Sequence, residues 1–209
     1  MVNSMIVTRR LVVAGAAALA GSLGAPVLGS VRADHVIVVR ARPGGTSGTL
    51  GFNGRKYACA LGRSGIVRDK HEGDGGTPAG TYPLREVRYR TDRVSRPKTD
   101  LRTFETSSAD GWCDDPADVA YNRLVRLPYP RDAEVMWRDD HVYDVLAVIG
   151  YNDAPPVVGA GSAIFLHVAR AGAGGMLLPT AGCVAMKLHD LLTVLAACNL
   201  ATMIDIRTF

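Results

Sequence analysis

Thr49-Leu50-Gly51-Phe52-Asn53-Gly54-Arg55-Lys56-Tyr57-Ala58-Cys59 is the strongest local signal in the chain. Asn-Gly supplies the two positive φ angles that a type I′ turn demands, so the residues on either side of it read as the arms of a β-hairpin. Upstream, Val36 to Val39 continues the apolar strand character within His35–Arg40. Downstream, Lys70 to Gly80 is polar and glycine-rich, as a loop requires. Thr81 to Tyr89 is a further strand, with Tyr82, Leu84, Val87 and Tyr89 as its candidate inward set.

The second half of the chain is read by the same rules. Arg90 to Arg131 has neither a helical nor a strand period, and it reads as a long loop-rich insertion. Ala133–Trp137 and Val142–Ile149 are expected to pair as a second hairpin, and Ala163–Val168 is an apolar strand that carries His167. Ala169 to Pro179 is a glycine-rich loop. One helix is expected over 187–199, where Leu188, Leu191, Leu192 and Leu195 share a face, and Ala201–Ile206 is the closing strand. The sum is a mostly β (α+β) single domain: a curved mixed sheet or sandwich with one main helix.

Met1 to Arg10 carries Arg9 and Arg10 and no acid, and Leu11 to Ser30 carries no charge, which is the layout of a signal peptide over residues 1–33. Thr8-Arg9-Arg10-Leu11-Val12-Val13 also resembles a twin-arginine export signal. An uncleaved anchor is the alternative, but the run is rich in Ala and Gly and holds Pro26, so its transfer energy is weak. No membrane span is expected in the mature form. Residues 34–209 then form the domain, with a core of single-domain size.

Arg9, Arg10 and Arg32 account for three of the 24 basic residues. The mature portion therefore holds 21 Lys and Arg against 20 Asp and Glu, and no basic stripe that would suit a nucleic acid. An oxidising compartment permits disulfides; Cys59 to Cys113 is the first pairing to consider, and Cys198 reads as a small buried apolar residue. His71, Glu72 and Asp74, and likewise Asp114, Asp115 and Asp118, cluster in loops without the spacing of a known metal geometry. Gly172-Ala173-Gly174-Gly175 lacks the lysine of a phosphate loop.

Cys183 stands in Pro179-Thr180-Ala181-Gly182-Cys183-Val184, after a glycine-rich loop and before the expected helix, 16 positions downstream of His167. Backbone N–H groups at a helix N-terminus would lower a thiol pKa and hold an oxyanion, and a nearby histidine would complete the activation. A buried structural thiol and a satisfied core histidine are the alternative reading of the same residues.

With the upstream Thr77-Pro78-Ala79-Gly80-Thr81-Tyr82, the order His167, loop, Thr180-Ala181-Gly182-Cys183-Val184 resembles the L,D-transpeptidase catalytic domain (YkuD-like) over about Val36 to Ile206. The resemblance implies a Cys183 nucleophile, a His167 base oriented by the Val168 carbonyl, and an oxyanion hole from the N–H groups of Gly182 and Cys183. Tyr151, Asn152 and Thr180 are implied as substrate-positioning residues, and no cofactor or metal is implied. The implied partners are peptidoglycan stem peptides and an acceptor amine, which a second protein could supply, in the periplasm or cell envelope. L,D-carboxypeptidase action, with water as acceptor, and a non-catalytic wall-binding module on the same fold stay open as alternatives. Two positions depart from the family pattern: Val168 stands where glycine is usual and Ala185 where arginine is frequent, with Lys187 as a partial substitute. Papain-like and NlpC-type peptidases place the cysteine before the histidine, and sortases need a downstream catalytic arginine that this chain lacks.

Overall fold

The computed structural model describes Met1 and residues 35–209. The expected signal segment lies almost wholly outside the described residues. Within them, fourteen strands and one α-helix succeed one another. The first three strands are β1 (Val36–Ala41), β2 (Ser47–Phe52) and β3 (Arg55–Ala60). Next come β4 (Ile66–Val67), β5 (Thr77–Pro78), β6 (Gly80–Tyr89) and β7 (Arg102–Glu105). The insertion and the stretch after it hold β8 (Asp110–Cys113), β9 (Arg123–Arg126), β10 (Ala133–Val135) and β11 (Val145–Ile149). The chain closes with β12 (Phe165–Val168), β13 (Val184–Met186), α1 (Leu188–Leu195) and β14 (Met203–Thr208).

The β2–β3 hairpin turns at Asn53 (φ 47°) and Gly54 (φ 73°), as the type I′ reading requires. The main sheet runs β11-β12-β13-β3-β2-β1-β14-β6-β7, and a further β11–β6 pairing joins the ends of its first eight strands. The sheet is mixed, as the sequence suggested, but it closes into a barrel-like ring and is not a sandwich. Closure depends on the length of β6. Its first half pairs with β14 and its second half with β11, and a one-residue register shift near Leu84 turns both Leu84 and Val87 inward.

Strand alternation separates two apolar clusters. Ile37, Val39, Leu50, Leu166, Val184, Met186, Ile204 and Ile206 fill the ring, joined by Leu191, Val194, Leu195 and Cys198 at the helical end. Each such side chain stabilises the fold by about 1.5–3 kcal/mol on burial. The alternate residues Leu146, Val148, Phe165 and Cys183 face outward, where Trp112, Met136, Val142 and Tyr143 cover them.

Several expectations are corrected. β10 and β11 do not form a hairpin: β10 pairs with β8 in a separate three-stranded sheet, while β11, buried along its whole length, fills the place between β6 and β12. The helix is shorter than 187–199, with Lys187 preceding it and Ala196 ending it. Cys183 does not lie at a helix N-terminus, because β13 intervenes. All four thiols are free and buried, Cys59 inside the barrel and Cys113 in the small sheet, so the Cys59–Cys113 bridge is absent. Cys198 is the small buried residue expected. Among the described residues, no helix is long and apolar enough to cross a membrane.

Candidate active site

The cysteine loop is held from three sides. Thr180 bridges to Gly62, with its N–H on the Leu61 carbonyl at 2.9 Å and its carbonyl accepting the Arg63 N–H at 2.9 Å. Its hydroxyl donates to the Cys183 carbonyl (2.7 Å) and accepts the Gly182 N–H (3.1 Å). From the other side, the fully buried Thr77 hydroxyl accepts the Gly62 N–H at 2.8 Å and donates to the same Cys183 carbonyl at 3.5 Å. The two sequence segments that carried the resemblance thus meet at one carbonyl. Gly182, at φ +153°, could not gain a side chain without a Cβ 3.0 Å from the Gly76 carbonyl oxygen.

β12 and β13 run parallel, with Leu166 opposite Val184, His167 opposite Ala185 and Val168 opposite Met186. Since residues opposite each other in a sheet share a face and residues two apart repeat it, His167, Ala185 and Cys183 all point outward from the barrel. His167 Nδ1 lies 2.9 Å from the Val168 carbonyl oxygen. A carbonyl only accepts, so Nδ1 carries the hydrogen and Nε2 of the neutral ring is an acceptor. The Tyr143 ring stands edge-on to the imidazole at 5.3 Å and 88°. Burial takes the His167 pKa down to about 4, against the pull of the Val168 carbonyl.

The thiol lies under the same cover. Cys183 Sγ accepts the Phe165 N–H at 3.3 Å and donates to the Ala163 carbonyl at 3.2 Å. Burial pushes its pKa up to about 12, with the Glu134 carboxylate adding to the rise. The pair therefore rests as a neutral thiol and a neutral imidazole. Ala163 holds φ +52°, costly for a residue with a Cβ, and its N–H is fixed by Asn122 Oδ1 at 3.1 Å.

A cavity of about 390 Å³ opens over both residues, lined also by Arg63, Lys70, Glu72, Asp114, Glu134, Arg138, Asp140, Tyr143, Arg170 and Thr180. Its walls carry both charge signs. Lys70 is neutralised by Asp74 at 2.7 Å, and Arg138 by Asp140 at 2.7 Å. Arg63 and Arg170 have no ion-pair partner among the described residues. Lys187 is exposed and lies outside the cavity, so the cations near the thiol come from other elements than the one expected.

Not every expected site residue gathers here. Tyr151 packs edge-on against Tyr82 at 5.3 Å and donates its hydroxyl to the Ala160 carbonyl. Asn152 ties the 152–161 loop through the Val157 and Gly161 carbonyls, at 3.0 and 2.8 Å. Neither lines the cavity, and both organise the loop leading to β12. Thr180 does line it, but its hydroxyl is taken up by the cysteine loop. The Gly182 N–H, expected in an oxyanion hole, is likewise bonded to Thr180. Tyr143, Glu134 and Arg138, which sequence reasoning missed, form the wall beside His167. Their separation from the motif left no local signal. Among the described residues no group of three or more His, Cys, Asp or Glu could hold a metal ion.

The family model of the L,D-transpeptidase catalytic domain (YkuD) matches residues 39–206. Neither a curated protein nor a solved structure matches the chain.

Proposed function

The chain belongs to the L,D-transpeptidase catalytic-domain family, and from that premise we propose that it is an exported cysteine acyltransferase that cross-links peptidoglycan stem peptides through a Cys183 thioester. The observation that supports this reading is the shared outward face of His167 and Cys183, with Nδ1 committed to the Val168 carbonyl and Nε2 left to accept a proton.

The reaction starts as the thiol turns from the Ala163 carbonyl toward Nε2. Because thiol and imidazole are both neutral at rest, the proton moves as sulfur attacks the carbonyl between the L-centre of diaminopimelate and the terminal D-alanine. The Cys183 N–H meets the developing oxyanion, since that of Gly182 is committed to the loop. Collapse breaks the C–N bond, the imidazolium gives its proton to the leaving nitrogen, and D-alanine departs. Arg63 and Arg170 offer unpaired cations to the carboxylates of such a peptide. An amine of a second stem then takes the acyl group. Export into the periplasm or cell envelope is the remaining part of the proposal, resting on the charge layout of residues 1–33.

Product analysis of the mature domain with tetrapeptide stems is the test. Cross-linked dimers with D-alanine release are expected. Tripeptides alone would recast the protein as a carboxypeptidase, and unchanged substrate would leave a wall-binding module.

A further inference from the structure

Asn122 lies in the Arg90–Arg131 insertion, a stretch to which the cysteine and histidine motif assigns no part. It is buried at φ +57°, and all four hydrogen-bonding positions of its side-chain amide are filled. Oδ1 accepts the Trp112 Nε1–H at 2.9 Å and the Ala163 N–H at 3.1 Å, and Nδ2 donates to the Tyr151 and Asn152 carbonyls at 3.0 and 2.7 Å. The opposite amide orientation would set donor against donor and acceptor against acceptor. The adjacent Tyr121 reaches the same segment. Its hydroxyl accepts the Gly161 N–H at 2.9 Å and donates to Glu72, which also takes the Ser162 hydroxyl at 2.7 Å. Two neighbouring insertion residues thus grip the chain from Gly161 to Ala163.

What they grip is strained and touches the thiol. Ala163 holds φ +52°, a conformation that a residue with a Cβ keeps only where its surroundings fix it. Its carbonyl accepts the Cys183 S–H at 3.2 Å, and the Phe165 N–H donates to Sγ at 3.3 Å. Among the described residues no hydrogen bond joins the thiol to His167. Resting on the transferase reading above, we propose that Asn122 is a positioning residue: by fixing Ala163 in its left-handed conformation it keeps the Cys183 thiol protonated on the Ala163 carbonyl and turned from His167 until substrate binds.

The chemistry sets the sign of the effect. A carbonyl that accepts the S–H favours the protonated thiol and repels a thiolate, so release from it lowers the pKa. His167 on β12, Glu134 on β10, Tyr143 ahead of β11 and Lys70 between β4 and β5 are the titratable groups about the thiol. Glu134 raises its pKa, while Lys70 and the Phe165 N–H lower it. No ionisable side chain of the cavity bonds to the Asn122 side chain, so its removal leaves those charges in place.

The test is alkylation of Cys183 by iodoacetamide as a function of pH, read by peptide mass. Cys59 and Cys198, buried in the barrel, report unfolding in the same sample. Asn122→Ala is expected to raise the Cys183 rate near neutral pH about tenfold and displace the profile to lower pH, with Cys59 and Cys198 still unlabelled. Glycine takes the left-handed conformation without strain, so adding Ala163→Gly should return the rate toward wild type, whereas a general loosening would be made worse by it. Should Asn122→Ala label Cys59 and Cys198 as well, Asn122→Ser, whose hydroxyl is too short to reach the Ala163 N–H, takes its place with the same expectation. A Cys183 rate no higher than wild type, or a rise that Ala163→Gly does not reverse, overturns the inference. D-alanine release by the wild type is scored separately: its absence defeats the transferase reading, while the labelling rates decide the role of Asn122.

Discussion

The barrel and the three-stranded sheet laid against it are built on different principles. The barrel closes on itself, leaving eight strands hydrogen-bonded in a ring around an apolar interior. The β8–β9–β10 sheet has open edges and is tied down by polar contacts. Asp110 accepts Arg126 at 2.6 Å and the Ser107 N–H at 2.9 Å and lies 3.5 Å from Arg88; Trp112 donates to Asn122 at 2.9 Å. Cys183 and His167, the proposed nucleophile and base, sit on the apolar scaffold, which fixes their register, while Asp114 and Glu134 come from the charged sheet or its end. The proposed acyl transfer needs the first to be rigid.

The sharpest way to break that division is at the scaffold. Cys183→Ala is expected to abolish acyl-enzyme formation, a loss of at least about a thousandfold, with circular dichroism and melting unchanged. His167→Asn, which can still donate to the Val168 carbonyl, should slow acylation about a hundredfold or more in single-turnover kinetics.

The same histidine gives a pH signature. Its folded pKa of about 4 lies below the ordinary 6.5, so between those values the unfolded chain binds the extra proton. Stability is then fully present above about pH 6.5 and is lost as pH falls toward 4, by up to about 3 kcal/mol. Denaturant titrations of wild type and His167→Asn should converge as pH falls across that window.

At the charged sheet, Asp110→Ala leaves Arg88 with Glu86 alone and should cost about 3 kcal/mol. Hydrogen exchange is expected to rise in 110–135 while the barrel amides stay protected; uniform loosening would mean that the two regions are one cooperative unit. The smallest effect belongs to the seam between them. Tyr143→Phe keeps the ring on His167 but removes the Glu134 hydrogen bond, worth about 1 kcal/mol in melting.

Legibility in the sequence divides along the same boundary. Asn53-Gly54 fixed a turn through backbone sterics, and the apolar run Ala163–Val168 placed His167 on a strand; both are local signals. Ring closure depends on the two halves of β6 choosing different partners, which no window of sequence contains. The helix expected over 187–199 forms over Leu188–Leu195, but Cys183 stands away from its N-terminus because Val184–Met186 fill the strand position between β12 and β3. The resemblance implied Tyr151 and Asn152 as substrate-positioning residues, but the chain reverses there and turns their polar groups onto their own loop. Glu134 reaches the site by folding of the small sheet over the barrel, and Tyr143 because the chain entering β11 runs beside β12, where the Val168 N–H meets the Val142 carbonyl at 3.1 Å; residue spacing encodes neither approach.

Intact-mass analysis of the mature protein mixed with tetrapeptide stem tests the central claim most directly. A transient adduct equal to the stem less its D-alanine is expected, located on Cys183 and released by hydroxylamine. Release of D-alanine with no adduct at Cys183, or an adduct that persists in Cys183→Ala, would contradict it.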